Sequence, residues 1–318
     1  MAQEPRTLVE AIRHFADPDV TLATMVELRW PDGVCCPTCG RSDVRFIATR
    51  RLWECKEKHP KRQFSAKVGT IFEDSPLSLD KWFSAIWMIA NCKNGVSSYE
   101  VHRAIGVTQK TAWFMLHRIR LAMQAGSFLK GSGPAEADET FIGGRAKNMH
   151  KAKRAEVITG TGGAGKAVVM GVLRRTDDTS ASKVTAKHIP DTTAPTLHAM
   201  VKAAVEPGSE LFTDTHRGYR GLSADYIHQT VDHSIEYVRG NVHTNGLENF
   251  WSLFKRAVKG TYVSITPCHL DAYVVEQTYR FNERKDNDGG RFRKVLGSVS
   301  GKRLTYKGLT GNAATTPA

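Results

Sequence analysis

The chain has 318 residues, with 45 lysines and arginines against 32 acidic residues, a formal charge of +13 and 41% hydrophobic content. That length suits about two domains, and no stretch is apolar for long enough to span a bilayer. The first residues carry Glu4, Arg6, Glu10 and Arg13 with no apolar run behind a basic start, which reads against a secretory signal. The expectation is an intracellular chain with no membrane partner. A basic surplus favours a polyanion, because each phosphate neutralised releases a counterion, although a merely basic enzyme fits the charge as well.

Residues 6–30 read as helical, with apolar positions Leu8, Ile12, Phe15, Leu22, Met25 and Leu28. Residues 31–66 are turn-rich and hold four of the six cysteines, Cys35, Cys36, Cys39 and Cys55. Clustering of that kind points to a metal and away from a disulfide framework. Cys36-Pro-Thr-Cys39 is a CxxC knuckle followed by Gly40, and Cys55 and His59 supply a second, looser pair. Zinc takes four soft or borderline ligands in a tetrahedron, which two short-spaced pairs provide. Cys35 is a possible substitute ligand, and a redox pair at Cys36 and Cys39 is the rival reading. A structural Zn2+ explains more, because the segment has little core of its own.

Leu79 to Cys92 reads as a buried helix around Trp82, Ile86, Trp87 and Ile89. Ser97 to Ile105 and Thr108 to Met123 read as two further helices about Gly106, with Thr108 as an N-cap. This fits a helix-turn-helix, with Gln109, Lys110, Arg118 and Arg120 as candidate DNA contacts. An ordinary helical hairpin fits nearly as well. Lys130 to Pro134 is the best linker candidate.

Beyond it the pattern changes. Glu136 to Ile142, Ala167 to Arg174, Ser182 to Ile189, Leu211 to Thr213 and Tyr226 to Val231 read as strands. Thr192 to Val205 and the stretch from Asn245 read as helices. The sum is a mixed-sheet α/β domain. The boundaries expected are 1–66 for an N-terminal helix and ribbon, 67–129 for the helical region and 130–285 for the α/β domain. A basic C-terminal extension, 286–318, follows.

Three acidic residues stand out. Asp138 lies within a strand, where aspartate is disfavoured. Asp214 ends a strand, where α/β sites form. Glu248 stands at a helix start. Each has an ordinary reading: an edge charge, a turn cap, and a capping box with Asn245. Together, three carboxylates converging on one point suit two divalent cations in phosphoryl transfer, and oxygen ligation suits Mg2+ (or Mn2+). Lys255 follows Glu248 by seven residues, about two turns on, so the two share a helix face and Lys255 can hold a phosphate. Arg256 beside it is a further DNA candidate. His243 and His216 flank the carboxylates, as phosphate-orienting or as structural residues. The stretch Gly160 to Lys166 starts like a phosphate-binding loop, but Ala167 stands where Ser or Thr belongs and a strand follows, so it reads as a basic hairpin. With Arg145, Lys147, Lys151, Lys153 and Arg154, it is a candidate backbone contact or a solvated surface.

Over roughly Phe15 to Phe281 the chain resembles the bacterial insertion-sequence transposases that carry an N-terminal zinc ribbon, related to the eukaryotic Merlin elements. The residues that carry this are Arg29-Trp-Pro-Asp-Gly33 with Cys36-Pro-Thr-Cys39, Gln63-Phe64, and Gly69-Thr-Ile-Phe-Glu-Asp74. Further on they are Ala137-Asp-Glu-Thr140 with Gly143-Gly144, Thr213 to Tyr219, and His243 to Arg256 with Gly260-Thr-Tyr262. The resemblance implies an RNase H-like catalytic fold with Asp138, Asp214 and Glu248 as ligands. The family's third position is Asn or Glu, which makes Asn245 a rival or supporting ligand. Lys255 fits the family's downstream basic residue. The expected activity is binding of terminal inverted repeats, 3′-end cleavage and strand transfer into double-stranded target DNA. A dimer or larger assembly in the bacterial cytoplasm, on the nucleoid, goes with it. The rival readings are an RNase H-like structure-specific endonuclease and a DNA-binding regulator whose catalytic domain is retired.

Overall fold

The computed structural model describes residues 4–124, 130–144, 150–151, 163, 165–176, 181–231 and 243–311. Arg145, Lys147, Lys153 and Arg154, and of the glycine-rich stretch Gly160 to Gly162 and Ala164, lie outside the described residues. The chain forms two compact units, 1–125 with 286–318, and 126–285. The ribbon, the helical region and the C-terminal segment therefore share one unit, in place of three separate segments.

In the first unit the expected N-terminal helix is two. Helix α1 (Leu8–His14) starts at a capping box between Thr7 and Glu10, and α2 (Pro18–Arg29) starts at Asp17 with proline at its first position. That second N-cap and proline restart the helix. A three-stranded antiparallel sheet follows: β1 (Val44–Ile47), β2 (Leu52–Cys55) and β3 (Gln63–Phe64). Its small core is aromatic, with Trp53 lying 5.6 Å from Trp30 and 6.1 Å from Phe64 between ring centroids. Helix α3 (Leu79–Asn91) buries Trp82, Phe83, Ile86, Trp87 and Ile89. Helices α4 (Ser98–Ile105) and α5 (Gln109–Met123) meet at Gly106, whose left-handed φ of 63° suits a residue without Cβ. The C-terminal segment is no loose extension. Helix α9 (Asp288–Gly297) presents Phe292 to Phe15, Phe83 and Trp87, and Ile71 donates its backbone N–H to Val299.

The second unit is a five-stranded sheet built from β4 (Ala135–Ile142), β5 (Ala167–Arg174), β6 (Lys183–Ile189), β7 (Glu210–Asp214) and β8 (Ile227–Val231). The order is β6-β5-β4-β7-β8. The first three strands are antiparallel neighbours, whereas β7 runs parallel to β4 and β8 parallel to β7. Alternation along β5 divides the core. Val168, Met170 and Val172 face α6 (Ala194–Ala204), while Val169 and Leu173 face α7 (Asn245–Ala257) and α8 (Leu270–Asn282). Edge strand β6 is covered by α8: Asn282 bonds both backbone groups of Val184, and Asp271 accepts from the N–H of His188. The stretch Lys130–Pro134 is not a free linker. Gly131 bridges to Val205, and Pro134 accepts from the backbone of Arg175. Among the described residues no helix is long and apolar enough to cross a membrane.

Candidate active site and metal centre

Cys36, Cys39, Cys55 and His59 converge, with their ligand atoms all within 4.8 Å of one another. The knuckle closes through the N–H of Gly40 on the carbonyl of Cys36, and Cys55 ends β2. The Sγ atoms of Cys39 and Cys55 lie 3.6 Å apart, and Cys36 Sγ lies 3.5 Å from Nε2 of His59. A tetrahedral zinc with bonds near ~2.3 Å needs ligand separations of about this size. His59 Nδ1 sits 2.7 Å from the carbonyl of Pro60, an arrangement that leaves Nε2 for the metal. Burial raises the Cys36 thiol, but the N–H groups of Cys39 and Thr38, together with the thiols of Cys39 and Cys55, outweigh it and bring it down to about 7. Thiolate is the form a metal binds. Cys35 is not one of the four.

In the second unit Ala135 and Glu136 pair with Leu211 and Phe212. Continuing that parallel register two residues sets Asp138 level with Asp214 on the same face. Burial raises the carboxyl of Asp138, and the charges of Glu139 and Asp214 raise it further, to about 7. The Nε1–H of Trp251 on α7 donates to Asp138 Oδ2 at 2.9 Å. Gly171, the partner of Asp138 on β5, makes this approach possible, since a Cβ there would lie 2.9 Å from the Trp251 ring. Glu248 and Lys255 stand three residues before and four after Trp251, on one helical face. Lys255 is held below the usual ammonium range by burial, while Asp138 pulls it back up.

The ordinary readings of these acids fare unequally. Asp214 Oδ1 does accept from the N–H of His216 at 2.9 Å. The N-cap of α7 is Thr244, so Asn245 and Glu248 form no capping box from Asn245. Both are exposed. Among the described residues, the cysteine-histidine quartet is the only set of three or more such ligands gathered within 4.8 Å. Asp138, Asp214 and Glu248 are spread more widely. Ions ~3.5–4 Å apart need ligands spread over more than one tetrahedron.

Four residues around these acids escaped the sequence reading. Glu139 points to the opposite face of β4, where it accepts from the hydroxyl of Tyr219 at 2.5 Å and lies 3.6 Å from Nδ1 of His216. Burial raises its carboxyl, Tyr219 lowers it, and the charge of Asp214 raises it again. Glu136, only 1% exposed, receives Nε of Arg175 at 2.9 Å and the backbone N–H of Leu247 at 3.0 Å. It thus places a carboxylate at the N-terminus of α7, where the helix dipole favours one. Arg175 also donates to the carbonyl of His243 at 2.7 Å and stacks over Phe212. His243 therefore belongs to the mooring of α7, since its Nδ1 faces Arg175 and Glu136. Alternation along β4 would have placed Glu136 on the face of Asp138, but its partner Arg175 is set only by the fold.

A family profile described as ISXO2-like transposase domain matches residues 130–282, and one described as transposase zinc-ribbon domain matches residues 18–57. A protein in transposable element ISH50 of Halobacterium salinarum is 27% identical over 256 residues, covering 77% of this chain and 84% of its own length. A transposase-like protein of Haemophilus influenzae is 31% identical over 95 residues, covering 30% of this chain and 76% of its own length. The chain belongs to the insertion-sequence transposases that carry an N-terminal zinc ribbon. The quartet in the transposase is accordingly a structural zinc site, and DNA is its partner.

The transposase corrects one group of expected contacts. Arg118 is 4% exposed and Arg120 1%. Arg118 donates to the carbonyl of Glu73 and lies over the rings of Trp82 and Phe114. Over its last turns α5 is buried all round, so neither arginine can reach a DNA groove there. Lys110 remains exposed, over the ring of Tyr306, and Gln109 donates to Ser98 Oγ. Arg256 is exposed.

Glu136→Gln in the transposase is expected to destabilise the second unit by about 3 kcal/mol, because it leaves Arg175 beside a neutral partner. Urea unfolding measures the effect, and a wild-type value would show that the anchor is dispensable.

Proposed function

We propose that the second unit is an RNase H-like catalytic domain that cleaves and joins DNA at Asp138, Asp214 and Glu248. The observation that carries this reading is the parallel pairing of β4 with β7, whose register, continued two residues, brings Asp138 level with Asp214, with α7 docked on Asp138 through Trp251. The sheet order and the flanking helices support it as well. A buried aspartate whose proton affinity is raised further by neighbouring carboxylates is part of a fitting donor set for divalent cations. Asp138 and Asp214 would hold Mg2+ or Mn2+, with Glu248 as third ligand and Asn245 as its rival. Such ions supply an activated water and charge stabilisation at the phosphate.

The residues around them orient the DNA. The Trp251 N–H fixes which oxygen of Asp138 faces outward. Lys255 holds a backbone phosphate beside it, and Arg256 adds a second cationic contact. Water cleaves the phosphodiester at the transposon end and leaves a 3′-hydroxyl. That hydroxyl then attacks a target phosphodiester, one P–O bond forming as another breaks, with no covalent enzyme intermediate. In the first unit, the ribbon and the α4–α5 pair read the terminal inverted repeats, with the exposed Lys110 on the N-terminal turn of α5 at the reading edge. Two ends must be paired, so the working form is a dimer or larger.

The deciding experiment incubates full-length protein, labelled DNA carrying the element's ends and a target plasmid with Mg2+ or with none. Mg2+-dependent joining lost in Glu248→Gln but kept in Asn245→Ala supports the reading and the third ligand. Nicking without joining would make the protein a nuclease, and binding alone a regulator. For the first unit, Lys110→Ala should weaken end binding and lower the slope of log affinity against log salt by roughly one. An unchanged slope would remove Lys110 from the interface.

A further inference from the structure

Beyond the carboxylates, the C-terminal end of β4 forms one wall of a groove of about 540 Å³. Its lining combines three lysines, Lys166, Lys255 and Lys259, with Phe141 and Val263. Phe141 lies three residues past Asp138, roughly 10 Å along the strand, and Lys255 senses the charge of Asp138. The groove therefore adjoins the acidic pair. Lys166 and Lys259 both disfavour the charged form of Lys255, and among the described residues none of the three lysines forms an ion pair. Three lysines lining one groove, none of them in an ion pair among the described residues, call for an anion.

The opposite wall is irregular. Helix α7 runs into a π-helical turn, Val258–Tyr262, and Val263 then takes φ 63° and ψ −51°. A β-branched residue in that region is strained by about 1–3 kcal/mol, and π-turns gather at functional sites. Val263 is nonetheless 77% exposed, and Phe141 38%. The backbone is thus held in a costly shape that presents an apolar side chain to solvent beside the lysines. Phosphate next to a flat apolar group is the chemistry of a nucleotide, and pockets of ~300–1,000 Å³ accept groups of that size. A fully paired duplex keeps its bases stacked inside, so the base presented here must be unpaired.

We propose that this groove holds one unpaired nucleotide of the transposon-end DNA next to the cleaved bond, with its phosphate on Lys166, Lys255 and Lys259 and its base against Phe141 and Val263. The proposal rests on the reading of Asp138 and Asp214 as the cleavage site.

The test uses full-length protein and the element's own end duplex, with 2-aminopurine placed singly at each position around the cleavage point, without Mg2+. The base brightens when unstacked. The expected result is several-fold brightening at one position, kept in Asp138→Asn and lost in Lys259→Ala and in Val263→Gly. The glycine relieves the strained backbone, so its effect cannot be put down to misfolding. Mg2+-dependent joining by the wild type is measured in parallel. Joining without brightening at any position, or brightening that survives both Lys259→Ala and Val263→Gly, overturns the groove and leaves the catalytic reading intact. Groove-dependent brightening without any joining supports the groove and overturns the catalytic reading.

Discussion

Asp138→Asn is expected to abolish DNA joining, by on the order of 10³-fold or more, about 4 kcal/mol of barrier, and at the same time to stabilise the Mg2+-free protein. The substitution keeps an acceptor for the Trp251 N–H and removes the charge. Burial, with Glu139 and Asp214 adding to it, raises the Asp138 carboxyl from 3.8 to about 7. In the unfolded chain it ionises near 3.8, so between these values the folded state binds the extra proton. Stability then falls as pH rises through that window and stays lowered above it. Below pH 3.8 both states are protonated and the penalty is absent. At pH 8, in zinc-replete buffer without Mg2+, Asp138→Asn should be more stable than wild type by about 1–4 kcal/mol, with a smaller gain at pH 5. Urea unfolding at the two pH values reads this directly. Retained joining would sink the catalytic assignment, and a pH-independent difference would sink the account of its charge.

The second large effect concerns the ribbon. Cys39→Ser is expected to remove the bound zinc and unfold residues 31–66, because besides its ligands the segment has a small core, centred on Trp53 with Trp30, Phe46 and Phe64 around it. Structural zinc contributes on the order of 10 kcal/mol to small domains of this kind. Elemental analysis should fall from one zinc per chain to none, and the fluorescence of Trp30 and Trp53 should shift red. Cys35→Ser is the control, since Cys35 stands outside the quartet, and should keep its zinc. Loss of zinc in Cys35→Ser, or its retention in Cys39→Ser, would redraw the ligand set.

Much of this molecule is legible in its sequence. The five strands of the second unit and its helices α6 and α7 follow from alternation and helical periodicity, and the zinc ligands follow from spacing, because both signals are local. The unusual placement of Asp138 within a strand is local as well. What periodicity cannot carry is the identity of a partner far along the chain. Arg118 and Arg120 look like DNA contacts because basic residues near the end of a helix are ordinarily solvated, yet packing encloses that end of α5 on every side. His243 reads as a phosphate-orienting or a structural histidine for its place beside the carboxylates, and the fold sets its Nδ1 against the Arg175–Glu136 anchor.

The sequence by itself therefore determined the order of elements, the metal quartet and the acids that stand out from their strands. Each of these depends on residues within a few positions of one another, or on the period of a single element. Only the tertiary structure decided that the strands carrying Asp138 and Asp214 lie side by side in parallel, that Glu136 moors the helix carrying Glu248, and that residues 286–311 return to the first unit. Those relations join residues tens to hundreds of positions apart. Strand register, burial and the closure of the core set them, and no local pattern records these.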